Sequence, residues 1–328
     1  MGCNTAAISA YRFVQRKVRA MKLQTLLVVI DAQQPHQPAL ERAAWLARKN
    51  RAQLHLLLTE YHAALDTSPL FDSALQAKGR AAALEHAGSW LEEYVAPLRA
   101  EGLELHLDVR WGKPLHKVVM AKVDELQPDL LLKSAAHNSL LQRLLLTNSC
   151  WQLIRHCPAP LWLVHHGAWQ GRRLCAALDP LHSADKPAEL DHRLIRAARE
   201  LSEQFDLQAH YLHTYAPLPR TLVFDAELVG DYDHYLERSA KQHRDALEEL
   251  IGHYPIAQPD THLIEGFAEE VLPRFVREQN VDLLLMGAVA RGQLDTALIG
   301  HTAERVLDAV ECDLLVLRPE PKGSDAQQ

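Results

Sequence analysis

Leu26-Leu27-Val28-Val29-Ile30-Asp31 is a short apolar run closed by an acid, and Leu174-Cys175-Ala176-Ala177-Leu178-Asp179 repeats the pattern. A run this short, apolar at every position, reads as a strand buried on both faces rather than half-exposed. Each is followed by a Pro-bearing loop and then a helical stripe. The first stripe is Leu40-Glu41-Arg42-Ala43-Ala44-Trp45-Leu46-Ala47; the second is Leu194-Ile195-Arg196-Ala197-Ala198-Arg199-Glu200-Leu201. Apolar residues at i, i+3, i+4 and i+7 mark one buried helix face.

The parallel continues. Strands are expected at Leu54–Leu58 and Ala209–Tyr215, then long helices at Leu75–Arg99 and Asp233–Ile251, then third strands ending in Trp111-Gly112 and Glu265-Gly266. Helices over Val118–Leu126 and Val271–Glu278 lead to Asp129-Leu130-Leu131-Leu132 and Asp282-Leu283-Leu284-Leu285. Each half closes on a last strand, Leu161–Val164 or Leu314–Leu317. Strands apolar on both faces and alternating with helices give a parallel sheet covered on both sides. With right-handed crossovers, each half is a doubly wound α/β sandwich. A period of about 150 residues is a domain duplication, since solenoid repeats run at about 20–50. The expected boundaries are a first domain over 23–166 and a second over 171–319, flanked by an extension over 1–22 and a disordered tail over 320–328.

The 328 residues are 48% hydrophobic and 23% charged, the balance of an ordinary packed interior. The net charge of −7 argues against a nucleic-acid surface. No apolar run reaches the ~20 residues of a membrane span. Five cysteines without a CxxC pair fit a reducing cytoplasm better than a disulfide framework. The extension holds Arg12, Arg16, Lys17 and Arg19, no acid and no apolar core, so it fails as a secretory signal. It reads as an upstream start with Met21 as the true initiator, or as a short basic arm.

Strand order, Asp at the end of the first strand and a Gly-bearing loop after the fourth resemble the universal stress protein family, in its tandem two-domain form. The stretch Met286-Gly287-Ala288-Val289-Ala290-Arg291-Gly292 through Gly300-His301-Thr302-Ala303-Glu304, followed by Cys312-Asp313-Leu314-Leu315-Val316-Leu317-Arg318-Pro319, is similar to that family's C-terminus. Leu27–Asp31, Gln37–Leu40 and Trp151–Pro158 carry the likeness in the first half. The resemblance implies two flavodoxin-like (adenine-nucleotide α-hydrolase-like) domains, each a five-stranded parallel sheet between helices. It also implies a pairing surface along the last strand and, in some members, an ATP site with Mg²⁺.

ATP-binding members of that family carry a glycine, two residues, a second glycine, nine residues, then a glycine followed by Ser or Thr. Glycines let backbone N–H groups approach phosphate without a Cβ clash, and a helix start favours an anion. In the second half this frame reads Gly287, Ala290, Gly300 and His301, with Gly292 and Thr302 displaced beside it. In the first half it falls on Ser134, His137, Thr147 and Asn148, with no glycine, so no ATP is expected there. The nucleotide reading of the second half adds Asp179 for ribose or adenine at the switch point of the sheet, and Arg291 and His301 for phosphate charge. Against it, Gly287 and Gly300 serve tight turns, and Asp31 and Asp179 are turn-forming strand ends.

Nineteen histidines raise metal ligation, but no HExxH spacing occurs. His210 and His213 fall on opposite faces of a strand. His165-His166 stands in the linker, and the cysteines flank apolar strands as small hydrophobes. No nucleophile elbow or Walker sequence is present. Leu65–Leu75 and Ala216–Tyr235 are loops unusually apolar for a surface; they cover sheet edges, or line a pocket for a lipid-like molecule. The expected protein is therefore a cytoplasmic stress-response sensor or scaffold with a weakened phosphate site in its second domain. A slow ATPase and a nucleotide-free module binding an apolar ligand or a protein are the alternatives. The two domains pack as a pseudo-dimer that replaces a homodimer, and further dimerisation stays open.

Overall fold

The two opening runs become β1 (Thr25–Ile30) and β8 (Arg173–Leu178) in a computed structural model. It describes residues 21–67, 72–137, 144–165, 169–181, 188–218, 232–288, 305–307 and 309–319. Along β1, Leu26, Val28 and Ile30 enter one core while Leu27 and Val29 enter another on the opposite face. This two-sided burial is why no polar alternation is seen in the run.

In the first half, β1 is followed by α1 (Pro38–Asn50), β2 (Gln53–Glu60), α2 (Ala63–Thr67), α3 (Ser73–Ala100), β3 (Leu105–Trp111) and α4 (Leu115–Leu126). Then come β4 (Leu130–Ser134), the two-stranded ribbon of β5 (Ala136–His137) and β6 (Leu144–Leu145), α5 (Asn148–His156) and β7 (Leu161–Val164). The second half runs β8, α6 (Ala188–Phe205), β9 (Gln208–Tyr215), α7 (Tyr232–Ile251), β10 (Thr261–Glu265), α8 (Ala268–Glu278), β11 (Leu283–Gly287) and β12 (Asp313–Leu317).

All main strands join one sheet in the order β10-β9-β8-β11-β12-β7-β4-β1-β2-β3. Within this sheet, pairing is parallel inside each half and antiparallel only where β12 meets β7. There Leu314 faces Leu163, Leu315 faces Trp162, and Val316 faces Leu161. Matching Leu161–Val164 with Leu314–Leu317 makes this register self-complementary, as an isologous contact requires. Two apolar edges thereby cover each other.

A repeated acid tethers the strands in each half. The Asp129 carboxylate accepts from the N–H groups of Gln24 and Thr25 at 3.0 and 2.9 Å. Asp282 does the same for Arg172 and Arg173 at 2.9 and 3.0 Å.

The seam also holds an unrepeated acid. Asp313 Oδ2 lies 2.7 Å from Arg42 Nε and accepts from Trp162 Nε1 at 2.9 Å, while Oδ1 accepts from His165 N at 2.9 Å. Burial pulls the Arg42 guanidinium below its ordinary pKa and pushes the Asp313 carboxyl above its own. Trp169 stacks on the Arg42 guanidinium at 3.8 Å and meets Trp45 and Trp162 edge-on at 5.7 and 5.9 Å. Trp45 in turn lies 4.7 Å from Phe205 of the second half.

Part of one apolar stretch differs from the loop reading. Within Leu65–Leu75, Leu65 belongs to α2 and Leu75 to α3, whose start is capped by Asp72 accepting from Leu75 N at 2.8 Å. Leu65 packs on Gly79 of α3, so close that a Cβ there would lie 2.8 Å from its Cδ2. A single helical turn is too short to show a stripe. Of Ala216–Tyr235, residues 219–231 lie outside the described part. At its described ends, Tyr235 Oη accepts from Leu218 N at 3.1 Å and Tyr232 Oη donates to Leu218 O at 2.8 Å.

Candidate functional site

Of the seven residues expected at the second-half site, Asp179 and Gly287 are described; Arg291, Gly292, Gly300, His301 and Thr302 lie outside the described residues. The strands bring the first two together. β8 and β11 are neighbours with Leu285 opposite Ala176, so Gly287 and Asp179 emerge side by side at the carboxyl edge. Open α/β sheets place ligands at this switch point. Asp179 N donates to Oδ1 of the fully buried Asp191 at 3.1 Å, which fixes the turn. A Cβ at Gly287 would sit 2.5 Å from Leu190 Cδ2 and 3.0 Å from its Cγ. Close approach of α6 to the strand end thus accounts for a glycine here, a reason distinct from both the tight turn and the phosphate contact that the sequence suggests.

The first half shows what replaces the glycines. Ser134, matching Gly287, turns its hydroxyl onto the start of α1, accepting from Ala39 N at 3.1 Å. Thr147, matching Gly300, caps α5 by accepting from Cys150 N at 3.3 Å. One amide at the start of each of these helices is thereby already paired within the chain. Asp31 forms a turn: its carboxylate accepts from Gln33 N at 3.0 Å and Gln34 Nε2 at 3.1 Å. A crevice of about 390 Å³ nevertheless opens over the carboxyl ends of β1, β2, β3 and β4, bordered by Asp31, Glu60, Tyr61, Lys113, Lys133 and Ser134. The sequence predicts no ATP in this half, and no motif in it marks Lys133.

Beside Asp179 the structure assembles a histidine relay that sequence spacing did not reveal. His213 Nδ1 lies 3.0 Å from the carbonyl of Leu178, and its Nε2 lies 2.8 Å from His243 Nδ1. A carbonyl only accepts, so His213 carries its proton on Nδ1; Nε2 accepts, and His243 Nδ1 donates. Tyr215 stacks on the His243 ring at 4.8 Å. On the opposite face His210 and His262 meet at 3.1 Å, as the odd separation of His210 from His213 requires. Strand spacing showed the faces; partners on a helix and on another strand left no local signal.

Burial, the leading cause in each case, holds His210, His213, His243 and His262 below the ordinary imidazole pKa. The folded chain therefore resists a proton that the unfolded chain accepts, and stability falls as pH drops below about 6.5. For His213, at 2% exposure, the expected loss is up to about 1.4 kcal/mol per pH unit. Urea unfolding between pH 7.5 and 5 measures this slope, and His213→Gln is expected to flatten it. A slope untouched by that change refutes the assignment.

Among the described residues no three His, Cys, Asp or Glu side chains gather as a metal site would need. Cys150, Cys157, Cys175 and Cys312 are buried and free. Burial pushes the Cys157 thiol up to about 11 and raises the Cys175 and Cys312 thiols well above their ordinary value, so none of these three is a ready nucleophile. No described helix is long and apolar enough to cross a membrane.

Comparison with known proteins agrees with this architecture. The chain is 28% identical over 302 residues to universal stress protein E of Photorhabdus laumondii, covering 90% of this chain and 95% of that protein. It is 28% identical over 306 residues to universal stress protein E of Escherichia coli K12, covering 90% and 94%. A solved structure from Pseudomonas aeruginosa PAO1, described as functionally unknown, superposes with a TM-score of 0.71 at 25% identity, covering 92% of this chain and 94% of that one. The model of the universal stress protein family matches residues 22–165 and again 179–318. With the fold written twice and both copies matched, the chain belongs to the universal stress protein family.

Proposed function

We propose that this stress-response protein acts in the cytoplasm as a small-ligand sensor or scaffold, with a weakened ATP or phosphate site confined to its second half. The observation that carries this reading is the cap on α5. Thr147 occupies one helix-start amide with its own hydroxyl, whereas Gly300 at the matching sequence position has no side chain to do so. The adjacency of Asp179 and Gly287 at the switch point supports the same location.

In this reading Gly287, Gly292 and Gly300 let backbone amides approach phosphate, Arg291 and His301 offset its charge, and the Thr302 hydroxyl accompanies them. Asp179 holds ribose or adenine, and Mg²⁺ accompanies the triphosphate. Ala290 replaces one family glycine, which is the reason for a weakened site. ATP with Mg²⁺ should stabilise the chain by about 2.7 kcal/mol at a hundredfold excess over Kd. Thermal unfolding with and without nucleotide measures this, and Gly300→Asp should abolish it. An equal gain in Gly300→Asp refutes the assigned loop.

A further inference from the structure

Lys133 is 9% exposed, and among the described residues its ammonium has one hydrogen-bond partner, the Ser134 carbonyl at 2.9 Å, and no carboxylate. An ammonium without a counter-charge is costly at such depth, and retaining one calls for a reason outside folding. The matching position in the second half is the apolar Met286, so the architecture does not demand a cation there. Lys133 borders the first-half crevice, where Lys113 Nζ stands 4.0 Å over the Tyr61 ring. The carboxylates of Asp31 and Glu60 border it too, Glu60 lying 3.5 Å from His62 Nε2.

This mixture selects a particular chemistry. Two ammonium groups attract an oxyanion, while two carboxylates oppose a bare polyanion and favour hydroxyl donors. Ser134 and Thr147 each take up one helix-start amide, and no glycine of the family's phosphate frame stands here, which disfavours a triphosphate. We propose that the first-half crevice binds a small hydroxylated oxyanion, its charged end on Lys133 and its hydroxyls toward Asp31 and Glu60. The crevice volume of about 390 Å³ admits a molecule of that class. This goes beyond the nucleotide reading and does not depend on it.

The test is saturation-transfer NMR on the full chain, with D-gluconate as the carboxylate probe and D-glucose 6-phosphate as the phosphate probe. D-glucose is the neutral control, and the Lys133 variants separate first-half binding from any signal of the second half. Binding of either anion, with glucose silent, is expected. Gluconate alone marks a carboxylate source, glucose 6-phosphate alone a phosphate source. Lys133→Met should weaken binding at least tenfold and raise the melting temperature of the free protein, whereas Lys133→Arg should keep binding within about threefold. Failure of both anions to bind overturns the proposal. So does a Lys133→Met variant that binds them equally or melts lower, the mark of a purely structural lysine.

Discussion

Asp313→Ala is expected to destabilise the protein by about 3–5 kcal/mol, the penalty for stranding one member of a buried ion pair. Arg42 would keep its guanidinium in a site 7% exposed, 2.7 Å from where the carboxylate had been. Trp162 Nε1 and His165 N would lose their acceptor as well. The pair itself contributes little net stability, because burial works against both charges. Replacing Arg42 and Asp313 together by apolar residues of similar volume should therefore cost far less than Asp313→Ala. Urea denaturation of the three proteins measures this. A double variant no more stable than the single one contradicts it.

Trp162→Ala should cost about 3–5 kcal/mol, the range for a large aromatic removed from a core. Trp162 is 1% exposed and faces Leu315 at the centre of the antiparallel seam. Its loss opens a cavity between the halves, frees one Asp313 lone pair and removes an edge contact with Trp169. Since Trp162 and Asp313 share a hydrogen bond, their substitutions should combine less than additively, with a coupling of about 0.5–3 kcal/mol. Strictly additive losses in a double-mutant cycle contradict the described network.

What could be read from the sequence follows from what repeats. β1 and β8, the tethers Asp129 and Asp282, and the last strands appear twice, so each copy corroborates the other. Their burial on both faces writes itself as uninterrupted apolar runs. Features present once were not legible. Asp313 stands where the first half has Pro160, so nothing in the repeat marks it, and its partner Arg42 lies on another strand-helix unit. The His213–His243 relay and Lys133 are likewise single and depend on long-range packing. The ribbon of β5 and β6 has two residues per strand, too few for any period to register. Of the candidate phosphate site, the edge formed by Asp179 and Gly287 is placed, and Gly287 proved to have a packing reason of its own.

On the proposed reading, the two halves share one fold and the second alone would receive a nucleotide. Photolabelling the intact protein with 8-azidoadenosine triphosphate and Mg²⁺, followed by peptide mapping, tests this directly. Label competed away by ATP and confined to peptides from the second half, around Gly287 to Thr302, is the predicted result. Competable label on first-half peptides spanning Ser134 to Asn148 would contradict it.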